Sequence, residues 1–234
     1  MKLYSAEMHC HTKEVSPCSR IHAKYLVGEY IDLGYRYMFI TDHYHPMVFE
    51  TQRMSGKAWN DRVDIYLSGY KAAQKAAEGS SLKVLLGMEL TLGMNKTNDL
   101  GFDFLVFGFD EDFIRNNPYL YNMEYMEFYE AAKKKGFLVF QAHPYRYGLT
   151  PVEPICYDGI EIVNANTSHN SRNQLAISFA MEKGLYTIGG SDAHSEEDAG
   201  RGGIMLPGDI ETPADLVQYY KENGSPELIV TFGA

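Results

Sequence analysis

The chain has 234 residues, of which 45% are hydrophobic, enough apolar material for one sizeable core, and a single domain over residues 1–234 is expected. The formal net charge of -10 and the pI near 5.2 exclude a generally basic surface, so small phosphorylated molecules are expected as partners and long nucleic acids are not. No apolar run approaches the roughly 20 residues that span a bilayer, the opening MKLYSAEMHC lacks a signal core, and Cys10, Cys18 and Cys156 form no even disulfide framework, so no membrane partner and a reducing, cytoplasmic location are expected.

In chain order, helical patterns closed by glycine alternate with apolar strands, the signature of an α/β architecture. The first strand is about YSAEMH. YMFITDH follows Gly34, and a helix over residues 59 to 78 presents Val63, Tyr66, Leu67 and Tyr70 as a core-facing stripe with a 3.6-residue period. KVLLGMEL follows Gly79, and FDFLVFGF comes next. Residues 120 to 135 read as a further helix, its closing KKK at 133 to 135 complementing the helix dipole. FLVFQAH follows Gly136, GIEIVNAN is the sixth strand, and LYTIGGSDAH follows Gly184 as the seventh. A last strand, ELIVTF, follows Gly224.

These strands end in the residue types that divalent metals prefer: His9 and His11, Asp42 and His43, Glu89, His143, and Asp192 with His194. In parallel barrels the C-terminal strand ends converge on one face, so groups remote in sequence become neighbours there. Five of the eight histidines fall at strand ends. One alone is explained by a satisfied structural role; five together are not. In His9-Cys10-His11 the two imidazoles point the same way if the strand continues. In Ser191-Asp192-Ala193-His194 the same spacing joins a carboxylate to an imidazole, and Gly189-Gly190 lets backbone approach closely. Taken alone, that segment also suits a helix cap. No P-loop and no G-x-S-x-G elbow is present.

The series MHCHT, ITDH, GMEL, AHPYR and GGSDAH resembles the PHP (polymerase and histidinol phosphatase) family over about residues 3 to 205. The resemblance implies a distorted (β/α)7 barrel of the PHP type that binds two or three divalent ions (Zn, Mn or Fe) and hydrolyses a phosphate ester. Carried over by motif, it implies a first ion on His9, His11, Glu89 and Asp192, with Glu89 bridging towards a third. The second site would use His43, His194 and an acid or histidine soon after the H-x-H, a position for which Glu14 is the only carboxylate and Cys18 a thiolate alternative. The third would use Glu89, His143 and a histidine near the fourth strand that this sequence lacks; Asp99 or Asp103 could stand in, and two ions are the firmer count.

On this reading the ions lower the pKa of a bound water and stabilise charge on phosphoryl oxygens. Arg146 and Arg201 would clamp the phosphate, Lys13 could also meet it, and His169 would protonate a leaving group, each against the alternative of a solvated surface residue. His22 and His45 are explained more simply by cap or turn positions. The alternatives are a nuclease or oligonucleotide phosphatase, a non-catalytic metal-stabilised interaction module, and amidohydrolase-type C–N cleavage.

Overall fold

The computed structural model describes residues 2–94 and 101–230. Its first half runs β1 (Leu3–Glu7), α1 (Ala23–Asp32), β2 (Tyr37–Ile40), β3 (His43–Tyr44), α2 (Pro46–Phe49), α3 (Trp59–Tyr66), α4 (Ser68–Ala77), β4 (Lys83–Leu86), β5 (Met88–Leu92) and β6 (Phe102–Phe107). The second half runs α5 (Glu111–Asn116), α6 (Tyr125–Lys135), β7 (Leu138–Gln141), β8 (Gly159–Asn164), α7 (Asn173–Lys183), β9 (Tyr186–Gly190), β10 (Gly202–Pro207), α8 (Pro213–Asn223) and β11 (Leu228–Val230). Local chemistry sets several of these boundaries. A Thr212–Asp215 capping box with Pro213 opens α8, while the three lysines in the last turn of α6 precede Gly136 in the left-handed region (φ 80°), where a side chain would be strained.

The architecture is mixed α/β, with two sheets of strand order β11-β10-β1-β2-β4 and β3-β5-β6-β7-β8-β9. β1, β2 and β4 are parallel neighbours, as are β3 with β5 and β7 with β8 and β9. β6 runs against both β5 and β7, and β10 against both β1 and β11. Among the described residues the ladders therefore form two sheets rather than one closed parallel barrel. Connection length accounts for β6: residues 93 to 101 are fewer than the dozen or so that a parallel crossover needs.

Two features tie the sheets together. Only Gly87 separates β4 from β5, so one nearly continuous run passes from one sheet to the other, and an isolated parallel bridge joins Cys10, beyond β1, to Ala193, beyond β9. Between the sheets, Ala6, Phe39, Leu105, Phe140, Ile188 and Ile204 share a single buried cluster with residues of α8. Burying each large apolar side chain contributes about 1.5–3 kcal/mol, so the cluster holds both sheets as one body.

Three elements differ from the expectations. The helix over residues 59 to 78 is two helices meeting at Leu67, although Val63, Tyr66 and Leu67 are buried as the stripe requires. β10 is additional: its Gly202-Gly203 start hides it in the sequence. ELIVTF is a strand over Leu228–Val230, its last two residues lying outside the described ones. No helix among the described residues is long and apolar enough to cross a membrane.

Candidate metal centre

The first histidine pair is set by a buried carboxylate inside the apolar strand that precedes it. Glu7 Oε1 accepts the N–H groups of Met8 (2.9 Å), His9 (2.8 Å) and Ser191 (2.9 Å), and Tyr30 O–H donates to Oε2. One side chain thus fixes the start of both the His9-Cys10-His11 and the Ser191-Asp192-Ala193-His194 turns. Gly190 lets them approach: a Cβ there would lie 2.4 Å from His9 Cβ and 2.9 Å from His9 N.

His9 and His11 are fully buried, with ring centroids 5.1 Å apart. His9 Nδ1 lies 2.8 Å from Glu161 Oε1, which turns Nε2 towards Glu89 Oε1 (3.3 Å) and Asp192 Oδ1 (3.4 Å). His11 Nε2 lies 3.2 Å from the same Asp192 oxygen and 3.3 Å from Glu89 Oε2. Glu89, in β5, also meets His43 Nδ1 (2.8 Å) and His143 Nε2 (2.9 Å). His194 donates Nδ1–H to its neighbour Asp192 O (2.8 Å), and its ring lies 4.3 Å from that of His11.

Three overlapping groups, each with ligand atoms within 4.8 Å of one another, result: His9, His11 and Asp192; His11, His43 and His194; and His9, Glu89 and His143. The donors fit divalent ions. His9 Nε2, His11 Nε2, Glu89 Oε2 and His143 Nδ1 are buried with no hydrogen-bond partner. Each such atom costs about 1–3 kcal/mol if left unpaired, against a net stability of about 5–15 kcal/mol for a whole domain, so cation coordination is the economical way to satisfy them. His143 and Asp192 also have left-handed backbones, φ 27° and 49°, a strain of about 1–3 kcal/mol each that is eased for aspartate. Burial pushes the Glu89 and Asp192 carboxyls up, but the imidazoles around them outweigh it and hold both well below the ordinary carboxylate range, with Arg146 adding to the effect at Asp192.

Of the other expected residues, Arg146 reaches the cluster. Its Nη2 pairs with Asp192 and donates to Asn164 Oδ1 (3.2 Å). His169 is exposed on the loop after β8, where partial desolvation and the Arg146 charge push its pKa below the ordinary imidazole range. Arg201 stands just before β10, its N–H directed at Asp198 O (3.4 Å), and Lys13 is exposed. Asp42 is no part of the donor groups: Oδ1 accepts from Thr12 N–H (2.7 Å) and Ser16 O–H (2.8 Å), and Oδ2 from Thr12 O–H (2.7 Å), so it clamps the loop after the histidine pair. Burial pushes Asp42 up to about 6.

Glu14 requires a correction. It turns away from the cluster, accepting from Ala23 N–H (3.0 Å) at the start of α1 and meeting His22 Nδ1 (3.1 Å), because the free N–H groups of a helix start attract a carboxylate. Cys18, further along the same loop, is exposed and in none of the donor groups; partial burial pushes its thiol up, but hydrogen bonding with His194 and His43 outweighs that and brings it to about 6. His22 is the N-cap residue of α1, and His45 Nδ1 accepts from Met47 N–H at the start of α2. Asp103 Oδ2 is 3.8 Å from His143 Nε2, because antiparallel β6 brings its first residues to this face; Asp99 lies outside the described residues.

Glu7, Glu161 and Asn164 were not read from the sequence as site residues. The available signal was a lone carboxylate inside an otherwise apolar strand, YSAEMH for Glu7 and GIEIVNAN for Glu161.

Residues 170–224 match the family model described as PHP-associated. Among solved structures, PsfC from Pseudomonas syringae PB-5123 is similar with a TM-score of 0.65 at 18% identity, covering 99% of this chain and 93% of that one. A two-domain protein from Bacteroides vulgatus, described as containing a predicted PHP-like metal-dependent phosphoesterase, gives 0.65 at 16% identity over 98% of this chain and 65% of that one. The lesion-specific endonuclease Q from Pyrococcus furiosus gives 0.63 at 14% identity over 97% and 58%. No curated protein matches the chain in sequence. At these identities the likeness is one of fold.

Fold and donor set together support a metal-dependent hydrolase. The model matched over residues 170–224 and the fold shared with PHP-like neighbours agree with the resemblance carried by the motif series.

The expectation of a small phosphorylated partner to the exclusion of long nucleic acid is overturned. Endonuclease Q in complex with a 27-mer duplex, an abasic lesion at its active site, shares this fold with a TM-score of 0.63. The expectation rested on net charge, which is an average over the whole surface and does not fix the sign of the potential inside a cleft that holds dications.

Proposed function

We propose that the chain is a metal-dependent phosphoesterase that cleaves a phosphate ester at the face where its donor groups converge. The supporting observation is the set of three overlapping groups around buried, unpartnered imidazole and carboxylate atoms. His9, His11, Glu89 and Asp192 would hold one ion and His43 and His194 a second, with His143 and Glu89 available to a third. Zinc, manganese or iron suit this nitrogen and oxygen set. Such ions supply a deprotonated water near neutral pH and charge for the phosphoryl oxygens.

The protein's own groups do the rest. Glu161 fixes the His9 ring so that Nε2 faces inward, and Glu7 holds both ligand turns together. Arg146 is the anion clamp: its guanidinium already reaches the carboxylate face at Asp192, and its planar donors suit phosphate oxygens. Arg201 and His169 are assigned the outer rim, as a second phosphate contact and as a group that exchanges a proton with the leaving oxygen. We further read residues 1–234 as one domain in a cytoplasmic, reducing setting that keeps the Cys18 thiol free, and the two tied sheets as a distorted form of the seven-stranded barrel.

The substrate panel follows from the fold. A nucleic-acid phosphodiester is the second reading, favoured by the likeness to endonuclease Q. Metal-loaded protein is to be incubated with phosphomonoesters, with phosphodiesters, and with single-stranded and duplex oligonucleotides that include an abasic site. Turnover of at least one class that vanishes in His9→Ala is expected. If the wild type, with metal bound, cleaves none of them faster than His9→Ala, the proposal is wrong.

A further inference from the structure

Strand β8 does not alternate regularly. Glu161 pairs with Ile188 of β9 and Val163 with Gly189, so one residue of β8, Ile162, has no opposite number. Residues three apart on a regular strand face opposite sides, and a bulge of this kind re-aims the side chains beyond it. Here it turns Asn164 to the same side as Glu161: Asn164 Nδ2 donates to Glu161 Oε2 (3.0 Å) and to Asp192 Oδ2 (3.1 Å). Carboxylate oxygens only accept, so the orientation of the amide is settled, and its Oδ1 takes two donors, Arg146 Nη2 (3.2 Å) and Ser171 O–H (3.0 Å). Asn173, at the start of α7, holds the Asn164 backbone on both sides, accepting its N–H (3.2 Å) and donating to its carbonyl (3.1 Å). Asn164 is buried throughout. Asp192 is thereby divided: Oδ1 lies towards His9 Nε2 (3.4 Å) and His11 Nε2 (3.2 Å), while Oδ2 takes Asn164 and Arg146.

We propose that Asn164 is a positioning residue, its bulge-aimed amide joining Arg146 to Asp192 so that the anion clamp is held beside the donor cluster. An arginine side chain has many rotamers, and one ion pair with Asp192 would leave the guanidinium free to swing about a single oxygen. The amide supplies a second anchor on the same nitrogen, so less freedom is lost when a phosphate oxygen arrives. A neutral donor suits the place between Glu161 and Asp192, where a carboxylate would repel both and a cation would compete with an ion. The inference rests on the reading of Arg146 as the clamp of a phosphoesterase, and it adds what that reading leaves open: what keeps the clamp in register with the donor groups.

Binding of inorganic phosphate tests it. Full-length protein at saturating manganese is titrated with phosphate by calorimetry, as wild type, Arg146→Ala, Asn164→Ala and the double variant, with bound manganese counted in each. Arg146→Ala is expected to weaken phosphate about tenfold or more, the usual loss for a hydrogen bond to a charged group. Asn164→Ala is expected to weaken it by a similar factor with the manganese count unchanged. The double variant is expected to bind phosphate as Arg146→Ala does, because residues that act through one another do not add. Asn164→Ser, which keeps a hydroxyl too short to span Arg146 and both carboxylates, is expected to show the same loss and serves if Asn164→Ala does not fold. Wild-type phosphate affinity in the Asn164 variants, or losses that multiply in the double variant, overturns the inference alone. Wild-type affinity in Arg146→Ala overturns the reading of Arg146 with it.

Discussion

Glu161 shows how much of the donor cluster depends on a residue outside the donor groups. One oxygen holds His9 Nδ1 and the other accepts His143 N–H, so a single buried carboxylate orients one imidazole and fixes the backbone of another. Partners of this kind typically account for about 10–100-fold in metal affinity or activity. Glu161→Gln is therefore expected to weaken metal binding by about that factor, measured by titration calorimetry, with an unchanged far-ultraviolet spectrum; undiminished affinity would show that His9 needs no such support. The residues of the candidate donor groups were legible in the sequence, because histidine and aspartate at strand ends contrast with the apolar runs before them. Glu161 was not, since one acid inside GIEIVNAN carries no spacing signal. Glu14 misled for a related reason: proximity along the chain does not say whether a carboxylate turns towards the cluster or towards a helix start.

At the scale of elements, the centre depends on how closely the turn after β9 approaches the turn after β1. Gly190 is the contact point, and its backbone lies outside the left-handed region, so the demand is for space alone. Gly190→Ala places a methyl group against the Cβ and N of His9. It is expected to cost about 1–3 kcal/mol in urea denaturation, as overpacking usually does, and to reduce metal uptake in the same preparation. A variant with wild-type stability and full uptake would mean that the two turns slide past each other freely. All eight expected strands are present because glycine-closed helices and apolar runs alternate visibly. The reversed direction of β6 was written in the shortness of residues 93 to 101, and it matters, because it brings Asp103 rather than a strand C-terminus to the site. β10 was invisible, since two glycines at its start read as a loop.

For the molecule as a whole, Glu89, Asp192 and Glu161 gather three buried carboxylates around His9, and bound cations should stabilise the fold that gathers them. Ligand at 100 times its dissociation constant adds about 2.7 kcal/mol. A domain of this size gains about 2–4 °C in Tm per kcal/mol, so a rise of roughly 5–11 °C is expected on loading. Differential scanning fluorimetry with zinc or manganese, followed by excess chelator, checks this; a Tm indifferent to both would argue that the cluster holds no ion. Net charge, the whole-molecule property most easily read from the sequence, was the least informative about partners, because it averages over the whole surface and does not report the potential at one site.

The place of β1 between β2 and β10 bears on how the chain is made. Residues 3–7 leave the ribosome some two hundred residues ahead of the strand that covers their second edge, pairing Leu3 with Pro207 and Ala6 with Ile204. Until then β1 has an unpaired edge, a surface prone to association with other chains. Asp192 and His194 arrive just ahead of that closing strand. On the metal-dependent reading, ion capture would wait for Asp192 and His194, and an interrupted chain would present its histidine pair without the carboxylate grouped with it.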